Sequence, residues 1–160
     1  IGSCLVGSEM CIRDRIMKKL FVLVAALAVM TTGALAADDT PVQVAHMPNM
    51  AQEFIGQHFG DVQVSYATMD DGLRKSYDVV LVNGTKIEFD GNGNWTEVDC
   101  KHGVVPEAIV PAQIRKYVAD NHPGQRIEQI ERSARGWEVG LGNGLDLKFN
   151  KSFRLMDLDD

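Results

Sequence analysis

Between Pro48 and Gly60 the apolar side chains Ala51, Phe54, Ile55 and Phe59 recur at i, i+3, i+4 and i+8, the spacing of a short helix with one buried face. The same spacing returns 63 positions later at Ile114, Tyr117, Val118 and His122. Pro48 and Pro111 suit a first helical turn, where a missing N–H costs nothing, and Gly60 and Pro123-Gly124 supply the stops. Beyond each helix the period drops to two. Tyr77, Val79 and Leu81 lead into Asn83-Gly84 and on to Ile87 and Phe89, and Trp137, Val139 and Leu141 lead into Asn143-Gly144 and on to Leu147 and Phe149. Asn-Gly between alternating segments predicts a two-residue hairpin turn. A further strand is expected at residues 95–99 and again at 153–158.

These patterns predict an α+β fold of two tandem copies, each one helix followed by about four antiparallel strands, with the helix covering one face of its strands. Successive side chains of a strand alternate between faces. The apolar residues of the paired strands should therefore form the core beneath the helices. The opposite face receives Asp78, Val80, Val82, Lys86 and Glu88 from the first copy and Glu138, Gly140, Gly142, Asp146 and Lys148 from the second. With Val98 inward, strict alternation sends Trp95 to that open face, together with Phe153 and Leu155.

The start of the chain has a different character. From Met17 it runs Met-Lys-Lys, an apolar stretch from Leu20 to Met30, then small residues ending in Ala34-Leu35-Ala36, the three-part layout of a secretory signal peptide. Cleavage is expected after Ala36 or Ala37, and the apolar run is too short to span a bilayer. Residues 1–16 precede this signal and read as a non-native extension. The organisation expected is a signal peptide at 17–36, an N-terminal segment at 37–47, a first repeat at 48–100, a linker at 101–110 and a second repeat at 111–160. The predicted address is periplasmic or secreted, with no membrane association after cleavage.

Charge narrows the partners. The chain has 16 Lys plus Arg against 22 Asp plus Glu, and residues 37–160 keep 12 and 20 of these, a formal charge of −8. Phosphate-tracking surfaces rest on clustered cations, so nucleic acid is not an expected partner. Only Cys100 among the three cysteines follows the signal, which leaves no intramolecular disulfide and makes Cys100 the one candidate for an intermolecular bridge.

No catalytic or cofactor motif emerges. Cys100 and His102 are two residues of one loop and cannot by themselves form a tetrahedral metal site. The run from Asp90 to Asn94 imitates the opening of a calcium loop but places Trp95 where the sharp turn needs glycine and Lys101 where a bidentate glutamate belongs. His46, His58, His102 and His122 are dispersed. The expectation is no metal, no cofactor and no enzyme.

The segments Tyr77 to Asp99, Val110-Pro111 to Gly124 and Trp137 to Asp160 resemble the PepSY-like family of exported bacterial proteins. That resemblance implies the fold of the β-lactamase-inhibitor proteins, with tandem repeats sharing one antiparallel sheet of about eight strands, helices on one face and a concave open face. Related modules in peptidase propeptides imply peptidase inhibition or regulation, an argument from fold alone. The expected function is recognition of a protein or peptide through an open face made of Asp78, Val80, Val82, Lys86, Glu88, Trp95, Glu138 and Lys148. The first copy, with Val80 and Val82 against Gly140 and Gly142, should dominate. The alternative is an envelope protein that binds a small ligand or a metal.

Overall fold

The computed structural model describes residues 39–159. The expected signal peptide at 17–36, its cleavage site and the extension at 1–16 lie outside the described residues. The remainder is a mixed α/β fold: one nine-stranded antiparallel sheet in simple sequential order and two α-helices. The strands are β1 (Thr40–Pro41), β2 (Val64–Asp70), β3 (Ser76–Leu81), β4 (Lys86–Asp90), β5 (Trp95–Asp99), β6 (Ile127–Arg132), β7 (Gly136–Leu141), β8 (Asp146–Asn150) and β9 (Leu155–Asp159). The ninth strand beyond the expected eight is β1, which pairs Thr40 and Pro41 with Met69 and Thr68.

Helix α1 (Asn49–Phe59) precedes β2 and helix α2 (Ala112–Asn121) lies between β5 and β6. Pro48 and Pro111 stand one residue earlier than expected, at the N-caps, where their extended ψ of 142° and 139° turns the chain into the helix. Ala51, Ile55 and Phe59 of α1 and Ile114 and Val118 of α2 are buried, with Phe54 and Tyr117 packed at the margin. The inward residues are as the alternation predicts: Tyr77, Val79, Leu81, Ile87, Phe89, Val139, Leu141, Leu147 and Phe149 all join the core. Phe89 and Phe54 pack edge-to-face with ring centroids 5.7 Å apart, and Phe149 and Tyr117 do the same at 5.3 Å. Residues 101–110 are packed as well as linking, since Val105, Ile109 and Val110 are buried and Val105 N–H donates to the carbonyl of Ile127.

The Asn-Gly hairpins differ from the expected two-residue turns. Leu81 N–H donates to Thr85 O and Gly84 N–H to Leu81 O, so the loop has three residues, with Gly84 at φ 88°. Gly144, at φ 85°, does the same between Leu141 and Leu145. Asn83 Oδ1 accepts the N–H of Thr85, and Asn143 Oδ1 that of Leu145. These side-chain bonds fold the turn around asparagine, so only the glycine enters the left-handed region.

The sheet continues across the α2 connection. Glu97, Val98 and Asp99 of β5 pair with Glu131, Ile130 and Gln129 of β6. This joint brings carboxylates together from strands far apart in sequence.

Candidate functional site

The face of the sheet away from the helices carries one row of ionisable residues in direct cross-strand register. Asp78 opposes Glu88, Glu88 opposes Glu97, Glu97 opposes Glu131, and Glu131 opposes Glu138. The row continues through Lys148 to Asp157. Five neighbouring strands thus present a carboxylate at the same level. Like charges directly opposite one another across strands are destabilising, so this arrangement works against stability.

The compensation is incomplete. Lys86 Nζ lies 2.6 Å from Glu88 and 3.8 Å from Asp78, and Gln129 Nε2 donates to Glu97 at 2.6 Å. Lys148 bonds with Asp159. Glu131 has no ion pair or side-chain hydrogen bond among the described residues. Burial against the sheet pushes the pKa values of Asp78, Glu97 and Glu131 above the usual carboxylate range. Neighbouring acids push the same way: Glu88 on Glu97, and Glu138 and Glu88 on Glu131.

A carboxylate whose pKa is raised by folding binds its proton more tightly in the folded chain. Its contribution to stability is therefore greatest below the ordinary carboxylate pKa and is lost as pH rises through the raised value. The melting temperature should climb as pH falls from 7 toward the ordinary Glu value of 4.5. At still lower pH the gain reverses. Burial of Asp90 is outweighed there by hydrogen bonds from Asn94 and Asn92, which hold its pKa low and its carboxylate in the β4–β5 hairpin. Glu131→Gln should raise stability at pH 7 by about 0.2–1 kcal/mol, and the gain should shrink as pH falls. Melting curves across pH check both statements, and a neutral-pH loss in the variant would contradict them.

Of the residues expected on the binding face, Asp78, Val80, Lys86, Glu88, Glu138 and Lys148 stand on the open side, with Val82 exposed at the hairpin tip. Trp95 does not. Between Glu88↔Glu97 and Phe89↔Trp95 the register shifts by one, so Thr96 is an extra residue and Trp95 falls beside Phe89 on the helix side. Met156 plays the same part in β9, placing Leu155 beside Phe149. Trp95 instead stacks on Phe54, with centroids 5.8 Å apart, and a half-buried aromatic line continues through Trp137 to Phe153 at 6.0 and 5.9 Å.

The aromatic residue on the open face is Tyr66, 57% exposed and opposite Val80. With Val80 and Val82 it makes an apolar corner at the β3 end of the acidic row. Alternation around the buried Ala67 could have placed Tyr66 outward. Glu97 and Glu131, the centre of the row, were absent from the sequence-derived set.

Cys100 is corrected too. It is only 6% exposed, within the core, and burial pushes its thiol pKa up, outweighing a hydrogen bond with Thr85 that pulls the other way. The access and thiolate character needed for an intermolecular disulfide are missing. Among the described residues no three His, Cys, Asp or Glu side chains converge as a metal site. His122 caps α2, its N–H donating to Val118 O. Among the same residues no helix is long and apolar enough to cross a membrane.

A sequential antiparallel sheet with its helices on one side and an open, charged face on the other belongs to a recognisable class. The family model described as "Putative beta-lactamase-inhibitor-like, PepSY-like" matches residues 75–157, and the chain belongs to the PepSY-like family. It is similar to the crystal structure of a "putative calcium-regulated periplasmic protein" from Bacteroides thetaiotaomicron, at 52% identity and a TM-score of 0.76, covering 78% of this chain and 99% of that one. A "putative periplasmic protein" of the DUF2874 family from Bacteroides vulgatus is 48% identical, with a TM-score of 0.75 and the same coverages. A further "putative periplasmic protein" of Bacteroides vulgatus is 37% identical, with a TM-score of 0.73, covering 76% of this chain and 99% of that one. No curated protein is significantly similar to the chain.

Proposed function

We propose that this is an exported, non-enzymatic binding protein, built as two copies of a helix-and-strands unit, that holds a basic protein or peptide segment on the open face of its sheet. The observation that carries the reading is the unbroken row Asp78, Glu88, Glu97, Glu131 and Glu138 in direct register. A fold under selection for stability alone gains nothing from stacking like charges. A cationic partner would relieve that repulsion on binding, and Tyr66, Val80 and Val82 offer an adjoining apolar contact for an anchoring side chain. Export is supported by the signal-like start of the chain and by the periplasmic descriptions of its relatives. A peptidase is one class of protein that could present such a segment, as the family's resemblance to propeptide modules suggests.

A second reading has its own support. The Bacteroides thetaiotaomicron relative is described as calcium-regulated, and a divalent cation is another species that would relieve the row.

Titration of the protein with a lysine-rich extended peptide, monitored calorimetrically, separates these. Saturable binding is expected, weakening as salt is raised. The Glu97→Gln, Glu131→Gln double variant should bind about ten-fold more weakly, a change of about 1.4 kcal/mol, without a loss of melting temperature. Equal binding by parent and double variant would overturn the face assignment. A calcium-dependent rise in melting temperature, absent in the double variant and unaccompanied by peptide binding, would favour the second reading.

A further inference from the structure

The Lys and Arg side chains of residues 39–159 divide into two groups. Lys86, Lys101, Arg115, Lys116, Arg126 and Lys148 each sit in an ion pair. Arg74, Lys75, Arg132, Arg135, Lys151 and Arg154 form none among the described residues. All six of the second group lie in or beside the β2–β3, β6–β7 and β8–β9 hairpins, at the same end of the sheet. Carboxylates are close by, with Asp70 and Asp71 in the β2–β3 hairpin, yet none among the described residues is within ion-pair distance of these six, so the group is left with charge to offer an anion supplied from outside.

The local structure is more specific than net charge. Arg132 is half-buried, its guanidinium lies 4.5 Å from the Trp95 ring centroid, and its Nε donates to the carbonyl of Trp95 at 2.5 Å. Burial lowers its pKa, and Asp90 opposes this only from beyond ion-pair distance. This cation is fixed in place and partly desolvated without a carboxylate in contact. It borders a cleft of about 830 Å³ in which three cations, Arg74, Arg132 and Lys151, outnumber two carboxylates, Asp90 and Glu131, with Asn94, Ser133, Trp137 and Phe153 completing the wall. That volume is on the scale of small-ligand sites. Arg74 also lines an adjoining cleft of about 720 Å³, which Arg135 borders.

Phe153 carries the last observation. It has φ 59°, a left-handed conformation unusual for a bulky side chain, and its N–H donates to Asn150 O. In the β4–β5 hairpin the position making the same bond, to Asp90 O, is Gly93. An aromatic residue held in a conformation that glycine adopts freely is the kind of strain found at ligand sites. Its ring extends the aromatic line from Trp137 to the cleft wall.

We infer that this cleft is a binding site for an acidic saccharide, a sugar carrying a carboxylate. The carboxylate would be taken by Arg74, Arg132 and Lys151, as guanidinium and carboxylate match in geometry. Sugar hydroxyls suit Asn94 and Ser133, and the apolar face of a sugar ring suits Trp137 and Phe153. An acidic peptide satisfies the cations but leaves the aromatic walls without a matching surface. The cleft meets the acidic row at Glu131, but its cations and aromatic walls lie at the hairpin end, and the inference does not depend on the reading of the open face.

Calorimetry on the full chain with digalacturonate tests this, with uncharged digalactose and tetraglutamate as comparison probes. Digalacturonate should bind saturably and more weakly at high salt, while the other two should bind at least about ten-fold more weakly. Arg74→Ser combined with Lys151→Ser should weaken digalacturonate binding about ten-fold or more with an unchanged melting temperature, because both side chains lack ion pairs. Absence of saturable digalacturonate binding at millimolar concentration would overturn the proposal, as would equal binding by the double variant. Tetraglutamate binding as tight as or tighter than digalacturonate would overturn the saccharide assignment in favour of an acidic protein segment.

Discussion

Replacing Gly136 by alanine is expected to destabilise the protein by about 3 kcal/mol or more, at the upper end of what overpacking costs. Gly136 opens β7 directly opposite Asn150 of β8 and is buried. A Cβ built there overlaps the carbonyl oxygen of Phe149 and lies 2.9 Å from the Cα of Asn150. Both obstacles are backbone, so relief requires β7 and β8 to separate where the cross-strand pair Trp137 and Phe149 packs on the core. Gly144→Ala provides the contrast. Its Cβ meets nothing within 4 Å, so only the left-handed φ of 85° is penalised, at about 1–2 kcal/mol. Chemical denaturation of the two variants should rank Gly136→Ala well below Gly144→Ala, and the reverse order would contradict the close approach of β7 and β8.

Trp95→Ala is expected to cost about 3 kcal/mol while leaving binding of a basic peptide at the open face unchanged. Trp95 stacks on Phe54 of α1, neighbours Trp137 and lies beneath the Arg132 guanidinium. Its removal leaves the first helix without one of its aromatic supports and exposes the flank of Phe89, which is fully buried. Strict alternation along β5, with Trp95 outward, would instead predict lost binding and an undisturbed fold. Melting and peptide titration of the same variant distinguish the two arrangements, because they predict opposite pairs of results.

That contrast shows where the sequence was legible. Helix faces, the inward alternation of β3, β4, β7 and β8, and the hairpin positions follow from local patterns of apolar residues and glycine. Trp95 was misplaced because a single inserted residue, Thr96, reverses the faces of everything before it in β5, and nothing in its type marks a bulge. Glu131, and with it the like-charge pair it makes with Glu97, was missed for a different reason. Hairpin partners have a register set by their turn, but β5 and β6 are joined through a helix, and their register follows from packing that no local pattern records. The acidic row therefore becomes visible only when those two strands are brought together. The cation-lined cleft is likewise assembled from separate hairpins, and Phe153 hides its unusual conformation within an ordinary polar loop.

The central claim is that the row from Asp78 to Glu138 is the surface that meets a cationic partner. Amide chemical-shift mapping of the isotopically labelled protein, titrated with a lysine-rich extended peptide, tests it most directly. The account predicts shifts concentrated on Tyr66, Asp78, Glu88, Glu97, Glu131 and Glu138, saturating with one midpoint and vanishing in the Glu97→Gln, Glu131→Gln variant. Saturating shifts confined to the helix side or to the hairpin end, or no shifts at millimolar peptide, would contradict it.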